Sequence, residues 1–202
     1  MVSCCHCASA QVYWNEEKYA GVNVSYTREN LNVGSYDLVG LELTLYPSKS
    51  MGWEFSTKLN YGADYISFEP VGLIGSLMVI YTQTHKKQFG SSEKLVSALF
   101  AISSAKLPIY PFDHVEFTPY WSLFKLTKLG DAPFKVCGHI GLALKVFPFC
   151  HSLKWNTFYV APYVQHDFGY EQTDNGYLPY WFDGDSPFSG TSFGIQSGFY
   201  FW

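Results

Sequence analysis

Charged residues are scarce in this chain of 202 residues, because Lys, Arg, Asp and Glu together make up only 15% of it. An average soluble domain carries about 25%. The formal net charge is −4, and the largest basic run is Lys86-Lys87. Since nucleic-acid binding requires a basic patch, the composition predicts no nucleic-acid partner.

Long apolar runs are also missing. The longest, VGLIGSLMVIY at 71–81, is far shorter than the ~20 residues of a membrane-spanning helix.

Cysteine is rare, and its placement matches no metal site. Three of the five cysteines fall within residues 4–7, beside His6. Zinc sites need a second, distant pair of ligands, which Cys137 and Cys150 do not supply. The sequence also lacks the common motifs of hydrolases, metalloproteases and phosphate-binding loops. It therefore predicts no metal and no cofactor.

The first ten residues end in Ala8-Ser9-Ala10, which fits the small-x-small pattern of a secretory cleavage site. Too few residues precede this site for a charged and an apolar region of ordinary length. We interpret residues 1–10 as the remnant of a truncated signal peptide and residues 11–202 as a single domain. A chance match is the alternative interpretation. The length suits one domain with its own core.

Aromatic residues, by contrast, reach 19% of the chain, and apolar residues alternate with small or polar ones. In FKVCGHIGLALKV (134–146) the even positions are apolar apart from Gly138, while the odd positions include Lys135, His139 and Lys145. Alternation with period 2 predicts strands that have two different faces, so the predicted fold class is all-β. Strands are expected near 18–28, 36–47, 52–62, 71–83, 112–127, 133–147, 155–169 and 191–202.

Several of these strands hold their pattern for about ten residues or more, whereas soluble strands usually have about five or six. A tilted strand needs ~9–11 residues to cross a bilayer. Short polar joints separate several of these strands, at 28–35, 47–52, 128–133 and 150–154, and no helical crossovers suggest a parallel sheet. This predicts a closed antiparallel up-and-down transmembrane β-barrel with eight strands. Residues 91–106 fit either a capped helix or a ninth strand, and the ninth strand would need a tenth from 62–70.

The two faces of the strands indicate which side lies inside. One face carries large apolar and aromatic residues, and the other carries small residues and a few charges. An eight-stranded barrel is just wide enough for side chains to fill it, so the second face is expected inside. The predicted polar network of the lumen consists of Glu42, Glu54, Lys58, Glu116, Lys135, His139 and Lys145.

From about residue 18 to its end, GFYFW, the chain resembles small Gram-negative outer-membrane β-barrel proteins. Such proteins typically end in Phe or Trp after alternating hydrophobic residues, and here Trp202 is last with Tyr200 two positions before it. The resemblance implies that Tyr200 and Trp202 form a signal read by the barrel-assembly machinery. It also implies location in the bacterial outer membrane, with the lipid bilayer as partner. Phe201 and Phe199, whose side chains point to the opposite face of the strand, belong to the more apolar of the two sets. Which of the two sets faces lipid therefore stays open.

Residues 170–190 form the longest irregular segment, which is aromatic and acidic and is expected to be an extracellular contact loop. Its candidate contact residues are Asp174, Tyr177, Tyr180, Trp181, Asp183 and Asp185. His114 and Glu116 share a strand face and are weak candidates for catalysis. We expect no enzyme but a structural, adhesive or narrow-transport protein. The alternatives are a soluble barrel that binds a hydrophobic ligand and a barrel enzyme that modifies lipid or peptide. The oligomeric state stays open.

Overall fold

The computed structural model describes residues 20–45, 54–85, 99, 102–112, 114–149, 158–173, 176–179 and 186–201. They form eleven strands and a helix, α1 (Val71–Thr84), that lies between the fourth and fifth strands. The strands are β1 (Ala20–Leu31), β2 (Gly34–Leu45), β3 (Phe55–Gly62), β4 (Tyr65–Glu69), β5 (Ser104–Lys106), β6 (Ile109–Phe112), β7 (Val115–Leu129), β8 (Lys135–Val146), β9 (Phe158–Thr173), β10 (Gly176–Pro179) and β11 (Gly190–Phe201).

The strands form a closed barrel with eight positions around its wall. All pairings are antiparallel: β1 to β4 pair in chain order, β4, β5 and β6 each pair with β7, β8 joins β7 to β9, and β11 joins β9 to β1. Closure therefore pairs the two ends of the fold, with Ala20 opposite Phe201. The predicted eight-stranded, antiparallel up-and-down barrel is confirmed. The short β10 only extends a hairpin with β9.

The fourth position of the wall is built from three short strands instead of one. β4 pairs with β7 from Leu126 to Leu129, β5 pairs with it from Tyr120 to Ser122, and β6 pairs near Val115 and Phe117. The three therefore run one after another along the same edge of β7. Between β4 and β5 lie residues 70–103, of which the structure describes α1 with its flanking residues Pro70 and His85, Leu99, and residues 102–103.

The strand predicted at 71–83 is wrong, because these residues form α1. The run VGLIGSLMVIY is apolar without strict alternation, so it lacks the two-faced pattern of the other strands. Pro70, which cannot donate to a strand ladder, stands at the N-cap of α1. The missing wall position is taken by β4, which lies within the segment 62–70, together with β5 and β6. In the ambiguous segment 91–106, Leu99 and Ile102 are helical and Ser104–Lys106 is strand, whereas residues 91–98, 100 and 101 lie outside the described part.

Among the described residues, no helix is long and apolar enough to cross a bilayer. The pleat of each strand sends alternate side chains to the two sides of the wall. On β11, Phe193, Ile195, Phe199 and Phe201 point outward and are exposed, whereas Tyr200 points inward and is buried. The outward register of the last strand is thus the one with Phe201 and Phe199. Residues 1–19, which include the expected signal-peptide remnant, lie outside the described residues.

Candidate functional site

The interior of the barrel is filled with charged side chains that the strands project inward from alternate positions. Among the described residues, six carboxylates and four lysines are buried. They are Glu29, Glu42, Glu54, Glu69, Glu116, Asp167, Lys58, Lys106, Lys125 and Lys145. A buried charge is costly unless a partner compensates it. The pairing inside the barrel therefore determines what the interior can do.

Lys145 lies at the centre of one cluster, toward the end of the barrel where β1 begins and β11 ends. Its Nζ lies 2.6 Å from Glu116 Oε1 and 3.2 Å from Glu54 Oε2. It also donates to the hydroxyl of Tyr200, and Tyr200 in turn donates to Glu54 Oε1 at 3.2 Å. Thr118 donates to Glu116 at 2.6 Å. One ammonium thus joins the carboxylate of Glu54, which immediately precedes β3, to the carboxylate of Glu116 in β7.

Lys125 forms a second cluster toward the opposite end. Its Nζ lies 2.7 Å from Glu29 Oε1 and 2.8 Å from Asp167 Oδ1. The hydroxyl of Tyr65 donates to the same Glu29 oxygen, and Ser192 Oγ donates to Asp167 at 2.9 Å. Strands β1, β4, β7, β9 and β11 all contribute to this cluster. Such a network stabilises one register of the barrel because each member depends on the others.

Between the two clusters, the two remaining lysines have different surroundings. Lys106 forms an ion pair with Glu42, which also accepts a hydrogen bond of 2.9 Å from Asn23. Lys58, by contrast, has its Nζ 3.4 Å from the hydroxyl of Tyr163 and 4.9 Å from the centre of that ring. No carboxylate of the described residues lies within 4.0 Å of its ammonium, whereas each of the other three buried lysines has one.

A small cavity lies in the middle of the interior, between the two clusters. Its polar lining includes Lys58, Lys106, Glu42, Glu69, Gln165 and Gln196. The space open to the centre of a water molecule measures about 20 Å³, which is enough for about one or two waters. Side chains therefore fill the described interior almost completely, as expected for a barrel of eight strands.

No model of a known protein family matches the chain, and no curated protein matches it either. The function must therefore be argued from the barrel itself.

The described residues contain no group of three or more His, Cys, Asp or Glu side chains that could hold a metal ion.

Six of the seven residues expected in the lumen network are buried inside the barrel. They are Glu42, Glu54, Lys58, Glu116, His139 and Lys145. The seventh, Lys135, is the first residue of β8 and is exposed. The structure joins Glu54, Glu116 and Lys145 directly. It places His139 Nδ1 3.7 Å from Glu69 Oε1.

The two weak candidates for catalysis are not brought together as a reactive pair. His114 is exposed in the turn before β7, whereas Glu116 is fully buried against Lys145. Of the two residues of the expected assembly signal, Tyr200 lies inside the barrel. Trp202 lies outside the described residues. In the expected contact loop, the backbone of Tyr177 pairs with Gln172 in the β9–β10 hairpin. Asp174, Tyr180, Trp181, Asp183 and Asp185 lie outside the described residues.

The sequence-based network missed the Lys125 cluster and the ion pair of Lys106 with Glu42. The reason is visible for Lys125. A bulge shifts the β7–β8 register between Ser122 and Lys125, and a bulge adds an unpaired residue that reverses the alternation. Ser122 and Lys125 are therefore both buried, although their odd spacing places them on opposite faces of a regular strand. Lys106 was missed because β5 has only three residues, too few for a visible alternation.

Proposed function

We propose that this protein is a small membrane-spanning β-barrel of the bacterial outer membrane whose closed lumen gives it a structural role. The observation that supports this most strongly is the polarity of the barrel, which is apolar outside and charged inside. Soluble barrels have the opposite arrangement, whereas membrane barrels face lipid with an apolar band. Large apolar side chains are exposed on every long strand; examples are Val24, Val39, Leu59, Phe117 and Leu142.

The dimensions of the barrel agree with this proposal. β8 has 12 residues; at about 3.4 Å per residue and a tilt of about 40°, such a strand rises roughly 30 Å, enough to cover an apolar band of ~25 Å. On β1 and β2 the apolar outer side chains stop at Tyr26 and Val39. The next outward positions carry Arg28 and Asp37, which form an exposed ion pair. A charged pair at this level fits the boundary between hydrocarbon and headgroups.

The filled interior favours a structural or adhesive role over transport. The central cavity accommodates about one or two waters, and the Lys125 and Lys145 clusters lie on either side of it. Passage of a solute along the axis would require these ion pairs to separate, and breaking a buried pair costs about 3–5 kcal/mol. The barrel therefore suits an anchor for segments displayed at its ends. The segment 170–190 is the candidate contact region.

The test is the behaviour of the full chain during extraction and electrophoresis. We expect it to sediment with the outer-membrane fraction, to require detergent for extraction, and to migrate differently on a gel before and after boiling. A single-channel recording in planar bilayers is expected to show no conductance of a wide pore. If the chain purifies from the soluble fraction as a monomer without detergent, the proposal is wrong. A soluble barrel would then take its place.

A further inference from the structure

The wall of the barrel has an incomplete seam between β3 and β5. β3 pairs with β4 as far as Lys58 opposite Glu69. Glu54, the residue before β3, then makes one isolated bridge to Lys106 of β5. The residues 55–57 between these points form no β-bridge to β5 in the described part of the chain. Elsewhere the long strands share ladders of eight or more paired residues, such as β2 with β3. The seam is therefore held by fewer backbone bonds than the rest of the wall.

The start of α1 occupies the outer side of this seam. A Cβ added at Gly72 would lie 1.9 Å from the carbonyl oxygen of Ser56, so the helix backbone packs directly against β3. From there α1 carries an apolar face away from the wall, and Ile74, Leu77 and Tyr81 are exposed on it. The whole helix contains no charged residue. An apolar surface thus leads up to the seam from outside.

The central cavity lies against the same seam from inside. Ser56, Ser104 and Lys106 line it together with Lys58. Three lysines and two glutamates line the cavity, but Lys106 is paired with Glu42 and Lys145 with Glu54 and Glu116, so Lys58 is the lining lysine without a carboxylate within 4.0 Å among the described residues. An ammonium in that position is complementary to an anionic group.

We propose that the seam opens sideways and admits a long-chain carboxylic acid, whose carboxylate binds Lys58 while its aliphatic chain lies along α1. This inference depends on the proposed function, because it requires the outside of the seam to face lipid. Opening requires separation of the bridge between Glu54 and Lys106 and of the ion pair between Lys106 and Glu42, and a shift of the start of α1 away from Ser56. The ladders of the other wall positions stay intact. The site is distinct from a pore, because the route is lateral and ends in the cavity.

Access through the seam is tested by labelling two buried serines that both face the interior. Ser104 lies at the seam and is 3% exposed, whereas Ser67 lies in the intact β3–β4 ladder and is 0% exposed. Each is changed to cysteine in a full-length chain whose five natural cysteines are replaced by serine, reconstituted in phosphatidylcholine vesicles. A lipid-soluble maleimide is expected to label Ser104→Cys roughly tenfold faster than Ser67→Cys, because segments with fewer backbone bonds open more readily. Equal rates would overturn the lateral route.

Recognition of the head group is tested with spin-labelled stearic acid and its methyl ester. The acid is expected to become immobilised on the protein and to protect Ser104→Cys from labelling, and the ester is expected to do neither. Lys58→Met is expected to weaken binding of the acid about tenfold or more, as loss of a charge-assisted hydrogen bond does. Lys58→Arg is expected to retain it. Equal binding of acid and ester, or of acid to Lys58→Met and the natural chain, would refute the assignment of Lys58.

Failure of this inference is distinguishable from failure of the proposed function. If the protein inserts in vesicles and shows heat-modifiable migration while both cysteines label equally, the barrel is a membrane protein with a closed wall. If the protein does not insert, both proposals fail together. Retention of heat-modifiable migration by each variant shows that the substitution leaves the barrel folded.

Discussion

Leu41 provides the sharpest test of which environment surrounds the barrel. It points outward from β2 and is 55% exposed, between Val24 on β1 at 55% and Leu59 on β3 at 43%. Replacing it with arginine puts a charge in the middle of this apolar row. In a bilayer, an arginine at the midplane of a barrel costs about 2–4 kcal/mol. On a surface in contact with water, the same substitution changes stability by only about 0.5 kcal/mol or less.

The measurement is the free energy of unfolding in urea, followed by tryptophan fluorescence in lipid vesicles. Because about 1.4 kcal/mol corresponds to a factor of ten, Leu41→Arg is expected to lower the ratio of folded to unfolded protein by roughly thirtyfold to a thousandfold. Ser35→Arg is the matched control. Ser35 points outward from the same strand beyond Asp37, where such a substitution costs about 0–1 kcal/mol. A Leu41→Arg variant as stable as the Ser35→Arg variant would refute the argument from polarity.

Three further predictions concern the interior. Gly40→Ala is expected to destabilise the barrel by about 1–3 kcal/mol, because the new Cβ would lie 2.3 Å from Ser25 Oγ. The measurement is urea unfolding, and unchanged stability would mean that the neighbouring side chains move aside at little cost. Lys125→Met is expected to cost about 3–5 kcal/mol in the same assay, since it leaves two buried carboxylates without their cation. Arg28→Met, at the exposed pair, is expected to cost less than about 1 kcal/mol, and similar losses in the two variants would contradict this reasoning. Cys137, buried at 2% exposure, is expected to react with a water-soluble maleimide only after unfolding, and rapid labelling of the folded barrel would show an open interior.

Alternation of side chains was sufficient to predict the barrel and its two faces, because successive side chains of a strand point to opposite sides of the sheet in any fold. β1 is the clearest case, since buried and exposed positions alternate strictly from Gly21 to Glu29. The principle failed at residues 71–81, where apolar residues do not alternate with polar ones. Gly72 in this run lets the helix pack closely against Ser56.

The partners of the interior charges could not be predicted, because they depend on the shear of the barrel and on local bulges. Lys145 contacts Glu54, the residue before β3, across the lumen, and the two are not neighbours in any ladder. The alternation places both side chains inside but says nothing about their relative height. The bulge in β7 that turns Lys125 inward adds a second unknown. The face on which a side chain lies depends on its own strand, whereas its partner across the lumen depends on the geometry of the whole closed barrel.

Pairing of β1 with β11 has a consequence for the order of folding. The pairing of β1 with β11, which closes the cylinder, joins residues 20–31 to residues 190–201. The contact most distant in sequence must therefore form before the lumen is enclosed. Until it does, the sheet has two open edges, and its lysines and glutamates are exposed on a curved, incomplete surface. Closing distant strands is slow because it restricts the whole intervening chain. Truncation within β11 would therefore remove the enclosure itself and leave an edge-exposed, aggregation-prone sheet in place of a smaller barrel.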